Sequence, residues 1–368
     1  MENDVQQGGQ GAQKPEKTSV LKLVMSWVGG ATAVIGLIGS LSGGFHWLQT
    51  HRTQRAELKS QMAVAETQRK QGEYEASVHS YGNVLKTDSL YTPALEGQLD
   101  AAMLWVENFS ILGKEHDEDR TAQSAGTLLD EIMPILDAGL ARSKGSRAAD
   151  VQAHLGWAHW LNWHIAQREF SHLAEQNLRA AVQLDKTNTY ANSMLGNWML
   201  QNRGAFPEAI EHLNTAVASG RARPLVREMQ IGGLLHNEVD GARAELVKTV
   251  NDMRKNGEAL EEGQKSRIVG FCYNPSVTSQ TELAESLAAV PEDDAWKTYL
   301  WLDDAPEDGS AGTNQDVTHA FIHASLLEAS GKRADALGEF KVLQKKLAKD
   351  PGTMKDRVDD AVKRLSAG

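Results

Sequence analysis

The sequence predicts an all-α protein, in which an N-terminal transmembrane helix is followed by an α-solenoid of helix hairpins. Apolar residues recur at spacings of three and four along most of the 368-residue chain, whereas the alternation typical of strands is scarce. One uncharged apolar run near the N-terminus has the length of a membrane span. Pairs of helical patterns joined by short turns then recur, which is typical of repeat architectures.

Composition and motifs argue against several classes of function. A net charge of −11 gives little electrostatic support for nucleic-acid binding. The single cysteine, Cys272, cannot form a disulfide within the chain. The sequence contains no phosphate loop, dinucleotide fingerprint or nucleophile elbow. We therefore predict a protein that is not an enzyme, needs no cofactor and binds no nucleic acid.

The N-terminal part is predicted to comprise a tail and a membrane anchor. Residues 1–18 are polar and rich in glycine and glutamine, which predicts a disordered tail. Residues 19–48 are predicted to form the anchor, because Leu23–Phe45 holds 23 residues without a charge. At about 1.5 Å per residue this run crosses a bilayer of about 30 Å. A cleaved secretory signal is the alternative, but the run is long for one.

Small residues recur at intervals of four in the predicted anchor, at Gly36, Ser40 and Gly44. Such a row lets two membrane helices pack closely, so the anchor is a candidate for homo-oligomer formation. Basic residues flank the anchor on both sides, and the positive-inside rule therefore leaves its orientation open.

Residues 49–145 are predicted to form two helix hairpins. The first, Leu58–Tyr91, turns at Gly72. The second pairs a helix at Thr92–Ile111 with one at Thr121–Arg142, and it departs most from the repeat pattern.

Residues 146–257 are predicted to form three further hairpins, at Asp150–Asn188, Thr189–Gly220 and Pro224–Gly257. The middle one is the best preserved. Gly196 on its first helix faces small residues on its second, which lets the two backbones approach closely.

This middle hairpin resembles a tetratricopeptide (TPR) repeat, whose pattern is W-x2-L-G-x2-Y, then A-x3-F, then A and P. Leu195-Gly196, Ala209, Leu213 and Ala216 fit that pattern. Three positions depart from it: Asn192, Met199 and Arg221. The resemblance implies an array of hairpins whose first helices line a concave groove that binds partner proteins. It also suggests the layout of bacterial single-pass TPR proteins of the inner membrane, with the large domain outside the cytoplasm.

The C-terminal part is predicted to contain a linker, a last repeat and a cap. Residues 258–315 are interrupted by prolines and carry an acidic loop, which predicts an irregular helical linker. Residues 316–368 restore the repeat pattern and end in an amphipathic helix at Thr353–Leu365. Its polar face suits the cap of a solenoid.

The candidate partner-binding groove contains Trp157, Trp160, Asn197, Gln201 and Arg227. The two tryptophans are three residues apart, so they differ by about 300° on a helix and belong to one slowly rotating stripe. The resemblance places both toward the groove, with Asn197 and Gln201 at matching positions of the next repeat. Either the tryptophans anchor a partner or they pack against the neighbouring repeat; both interpretations stay open.

Arg227 belongs to a local basic patch with Arg221 and Arg223. This patch could receive an acidic peptide or pair with neighbouring side chains.

The histidines do not predict a metal site. His154, His159 and His164 are five apart and turn about 140° at each step, so they share no face. His319 and His323 share a face, but their stretch lacks the acid of a zinc-protease motif.

These features predict a membrane-anchored adaptor or scaffold that binds a protein or peptide partner in a concave groove. One alternative is a structural subunit or homo-oligomer of a membrane complex without a peptide groove. A metal-dependent enzyme that uses the histidines is a further alternative.

Overall fold

A computed structural model describes residues 55–111, 118–166, 168, 172–202, 205–236, 239–306, 315–349 and 352–367. Within these ranges the protein has sixteen helices and no strand. The predicted all-α class is therefore confirmed, and the arrangement is consistent with an α-solenoid. The predicted tail (1–18) and anchor (19–48), with Gly36, Ser40 and Gly44, lie outside the described residues. No helix in the described ranges is long and apolar enough to span a membrane.

The chain divides into two compact units, residues 1–94 and 95–368. The described part of the first unit contains a hairpin of α1 (55–70) and α2 (Tyr74–Thr87). The hairpin turns at Gly72 as predicted, and the φ of +81° there favours a glycine. The Ser77 hydroxyl donates to the Ala65 carbonyl at 2.8 Å, and Tyr81 donates to Glu66 at 2.9 Å. These contacts hold α2 against α1.

In its described residues, the second unit begins within α3 and continues through thirteen more helices. The first eight of these elements are α3 (Thr92–Ile111), α4 (Glu118–Arg142), α5 (Gly145–His164), α6 (Leu173–Leu184), α7 (Thr189–Gln201), α8 (Phe206–Ala218), α9 (Arg223–Leu235) and α10 (Ala242–Lys255). The remainder are α11 (Glu262–Cys272), α12 (Gln280–Ala288), α13 (Glu292–Leu302), α14 (Gln315–Ala329), α15 (Arg333–Lys346) and α16 (Thr353–Ser366).

Local sequence signals set where the central helices begin. The side chain of Asn188 caps α7 by accepting the backbone N–H of Ala191 at 2.9 Å. Pro207 and Pro224 lie in the first turns of α8 and α9, where the missing N–H costs no helical hydrogen bond. A capping box formed by Ser279 and Glu282 starts α12.

The central helices form three successive hairpins, α5/α6, α7/α8 and α9/α10, and the first helices α5, α7 and α9 contact one another in that order. Glycines allow the close approach within two of these hairpins. A Cβ on Gly196 would lie 2.7 Å from Leu213 Cγ and 2.9 Å from the Ala209 carbonyl oxygen. A Cβ on Gly156 would lie 2.8 Å from Leu178 Cγ. The predicted role of Gly196 is confirmed.

The C-terminal third contains more packed structure than a linker requires. The described part of the segment 258–315 provides three short helices, α11, α12 and α13, and α12 and α13 both pack against α10. Helices α14 and α15 then form a hairpin, and α16 packs on α15. Helix α16 buries Val358, Ala361 and Leu365, as expected of an amphipathic terminal helix.

Candidate partner-binding groove

Five helices of the second unit, α3, α5, α7, α9 and α11, contribute to one cavity of about 320 Å³. We name it the odd-helix cavity after the numbers of these helices. Its lining residues are Phe109, Trp157, Trp160, Leu161, His164, Ile165, Asn197, Gln201, Glu228, Met229, Gly232, His236 and Arg267. Four of the five residues predicted for the groove are thus brought together, and Arg227 is not among them.

Trp157 and Trp160 form part of an aromatic stack in the cavity wall. Their ring centroids are 4.3 Å apart with an interplanar angle of 18°, and Trp160 stacks in turn on His164 at 4.7 Å. The two tryptophans are only 2% and 5% exposed. They are therefore core residues of α5 and wall residues of the cavity at the same time.

The indole N–H groups of Trp157 and Trp160 are buried, and neither has a hydrogen-bond partner within the described parts of the chain. A buried donor without an acceptor costs about 1–3 kcal/mol, so such groups are uncommon in native proteins. Here two of them belong to side chains that line one cavity.

Asn197 connects α7 to α9, and Gln201 of the same helix holds the Asn197 side chain. The Asn197 amide donates to the Met229 carbonyl oxygen at 2.7 Å, and Gln201 donates to the Asn197 side-chain oxygen at 2.6 Å. Asn197 is 2% exposed and is occupied by these contacts. Gln201 is only partly buried, so its side chain is the more accessible of the two.

The ionisable groups at the cavity have unequal environments. Burial, with a contribution from nearby Glu261, raises the pKa of Glu228 to about 7. Burial, with a contribution from His236, lowers the pKa of His164 below its usual value. No ion-pair or hydrogen-bond partner of the Glu228 carboxyl is found in the described portion of the protein. Glu228 is therefore a carboxyl group at the edge of the cavity that has no counter-ion among the described residues.

A second cavity, of about 560 Å³, lies beside α9 and α10, and we name it the α9–α10 cavity. Its lining residues are Arg223, Pro224, Arg227, Glu228, Ile231, Met253, Glu258, Ala259, Leu260, Glu261 and Gln264. Glu228 lines this cavity and the odd-helix cavity alike, so the two adjoin at that residue.

Arg227 lies in the α9–α10 cavity and is already paired. It is 4% exposed and donates to Glu258 at 3.0 Å, to Gln230 at 3.0 Å and to Asp252. Burial opposes its charge, but Glu258 and Asp252 hold its pKa above the usual value. The rest of the predicted basic patch is paired as well, Arg223 with Glu258 and Arg221 with Asp150.

The histidines considered as metal ligands contact separate partners. His319 contacts Asp303 at 2.7 Å, and His323 contacts Glu339 at 2.9 Å. His154 is fully buried between the Asp150 carbonyl and the Glu107 carboxyl group. Among the described residues no group of three or more His, Cys, Asp and Glu side chains is arranged to hold a metal.

The thiol of the single cysteine, Cys272, is not exposed. Cys272 is fully buried, and this burial raises its pKa to about 12. A thiol in that environment stays protonated near neutral pH and is a poor nucleophile.

Sequence reasoning missed the other nine lining residues, among them Glu228, Gly232, Phe109 and Arg267. For α9 a signal was present, because positions 228, 232 and 236 are four apart and follow one helix face. For Phe109 and Arg267 no comparable signal exists, since α3 and α11 do not follow the repeat pattern.

The chain matches no model of a known protein family and none of the curated proteins with which it was compared. The TPR resemblance therefore stays a prediction from the repeat pattern.

Proposed function

We propose that the protein is a membrane-anchored, TPR-like scaffold that holds a segment of a partner protein in the odd-helix cavity. The hairpins α5/α6, α7/α8 and α9/α10, with their first helices in contact, support a TPR-like solenoid. The observation that carries the proposal is the cavity to which five alternate helices contribute residues. In a solenoid of hairpins the first helices form the concave face, where extended segments bind.

The chemistry of the cavity suits a peptide segment. A peptide backbone offers N–H donors and carbonyl acceptors, and the partly buried Gln201 amide lines the cavity as a polar partner for them. The stacked rings also give a large rigid contact surface, and tryptophan is enriched among residues that dominate binding energy. Binding alone accounts for these features, and we propose no catalytic step.

The membrane anchor is proposed from the sequence alone, on the uncharged apolar run Leu23–Phe45. We propose that residues 19–48 hold the scaffold at the inner membrane of a bacterium, with the repeats outside the cytoplasm. Alkaline carbonate should leave the full chain with the membrane and release a chain that begins at residue 49. Protease added to spheroplasts should digest the repeats. Release of the full chain by carbonate would refute the anchor and leave the groove unaffected.

Gly232 provides a variant that fills the odd-helix cavity without disturbing the fold. Among the atoms that the structure describes, a Cβ at this position would meet only Asn197 Nδ2, at 3.8 Å. The side chain of a Gly232→Leu variant therefore has room to enter the cavity, and replacing a helical glycine favours the helix. The matched control is Gly338→Leu on α15, where a Cβ meets no described atom within 4 Å and no residue of either cavity is near in sequence.

The test is selection of displayed random short peptides on the full chain, followed by affinity measurement with a synthetic copy of an enriched peptide. We expect the wild type and Gly338→Leu to bind it equally. We expect Gly232→Leu to bind at least about tenfold more weakly, a loss of about 1.4 kcal/mol, with no lower melting temperature. The proposal fails if no peptide is enriched, or if Gly232→Leu binds as well as the wild type.

A further inference from the structure

The α9–α10 cavity has apolar walls and an uneven set of charges. Pro224, Ile231, Met253 and Leu260 line it beside two arginines and three glutamates. Such a site suits a ligand group that joins a hydrocarbon stem to a charged end, as lysine and arginine side chains do.

Most of the charged groups in this cavity already have partners. Arg223 and Arg227 pair with Glu258, and Arg227 also pairs with Asp252. Glu261 caps α11, since its carboxyl group accepts the backbone N–H of Gln264. Glu228 is the remaining charged lining residue, and its carboxyl group has no such partner in the ranges that the structure covers. The group left for a ligand is therefore an anion.

We propose that the α9–α10 cavity receives a lysine or arginine side chain of the bound partner segment, with the Glu228 carboxylate as its counter-ion. This inference rests on the proposed peptide groove. Because Glu228 lines both cavities, a segment anchored against Trp157 and Trp160 comes within reach of it. The partner segment thus carries an apolar or aromatic anchor residue and, close to it in sequence, a basic residue.

Charge complementarity favours a basic residue over an acidic one. From α9, Arg223 and Arg227 face this cavity but are occupied by Glu258 and Asp252. Glu261, which precedes α11, adds negative charge to the α9–α10 cavity. Arg267 of α11 lines the odd-helix cavity instead. His164 and His236 belong to the odd-helix cavity too. An acidic ligand group would meet Glu228 and Glu261 in the α9–α10 cavity, with both arginines already engaged.

Binding of a cation should depend on pH in a defined direction. Burial and Glu261 raise the pKa of Glu228 to about 7 in the free protein, so a large fraction of this group is protonated below that pH. A bound cation favours the ionised carboxylate, and binding therefore releases a proton. Affinity should rise about tenfold between pH 6 and pH 8, which is the change in the ionised fraction for a pKa of about 7.

The test repeats the displayed-peptide selection with Glu228→Gln, which keeps the side-chain size and removes the charge. The wild type should enrich peptides with a lysine or arginine at a fixed distance from an apolar residue. Glu228→Gln should lose that preference. It should bind the peptide enriched on the wild-type protein at least about tenfold more weakly at pH 8, and its affinity should show no change between pH 6 and pH 8 attributable to this group. The control is Glu211→Gln on α8, an exposed glutamate outside both cavities, which should behave as the wild type.

A second variant leaves Glu228 in place. Ala259 is exposed at the α9–α10 cavity, so Ala259→Lys supplies a cation from the protein itself. This variant should compete with the basic residue of the peptide and weaken binding, without weakening a peptide whose basic residue has been replaced by norleucine.

The outcomes separate this inference from the proposed groove. Enriched peptides without a basic preference, or a Glu228→Gln variant that keeps the affinity and the pH response, would overturn the inference and leave the groove standing. If the wild type enriches no peptide, both the groove and the inference fall.

Discussion

At the scale of single residues, Trp157 and Trp160 belong both to the helix packing and to the cavity wall. The sequence offered these roles as alternatives, because a stripe of tryptophans at a spacing of three is compatible with either. The side chains are 2% and 5% exposed, yet both line the odd-helix cavity. Burial alone therefore does not separate core from binding site when the wall of a groove is itself a packed helix face.

Arg227 and Glu228 show what single-residue reasoning from sequence cannot reach. They are adjacent on α9, and the sequence favoured Arg227 as the binding residue because it belongs to a basic patch. Glu258 lies 31 residues further along the chain and pairs with Arg227, whereas Glu228 is left without a counter-ion in the described protein. That difference depends on the course of the chain after α10, which local sequence does not specify.

Replacing the glycines of α7 and α15 by alanine is predicted to change the free energy of unfolding in opposite directions. Gly196→Ala places a methyl group 2.7 Å from Leu213 Cγ and 2.9 Å from the Ala209 carbonyl oxygen, and the hairpin must open to accept it. We expect a loss of about 1–3 kcal/mol in the free energy of unfolding. The methyl group of Gly338→Ala on α15 meets no atom of the described residues within 4 Å, so this variant should gain about 0.5–1 kcal/mol from helix propensity.

Urea denaturation of the full chain at one pH measures both changes. Equal effects of the two substitutions would contradict the close approach of α7 and α8, because that approach is what distinguishes the two sites.

At the scale of helices, the sequence predicted much of the secondary structure and part of the cavity. Helix α3 has the predicted bounds, Thr92–Ile111, and α16 ends one residue beyond the prediction. Apolar periodicity, caps and prolines are local signals, so they set helix ends without knowledge of the fold. The repeat pattern likewise placed residues of α5 and α7 on one surface.

The contributions of α3 and α11 to the same surface were not predictable in this way. Neither helix follows the repeat pattern, and Phe109 and Arg267 reach the odd-helix cavity only through tertiary packing. A buried contact between Glu107 on α3 and His154 on α5, at 2.7 Å, helps to set that packing. The two residues are 47 positions apart, and no local signal relates them.

At the scale of the whole molecule, the proposal assigns different tasks to different parts of the chain. The described part of the first unit provides the hairpin α1/α2, while the second unit contains both cavities. Within the second unit, alternate helices line the odd-helix cavity, and α6, α8 and α10 contribute no lining residue to it. The central claim is therefore about which helices meet the partner.

Photo-cross-linking of an enriched peptide to the full chain tests this claim most directly. The peptide carries benzoylphenylalanine in place of its apolar anchor residue, and mass spectrometry locates the adducts. The proposed groove predicts adducts on α5, α7 and α9 around Trp160, Gln201 and Gly232, which Gly232→Leu abolishes. Adducts concentrated on α6, α8 and α10, or unchanged in Gly232→Leu, would contradict it.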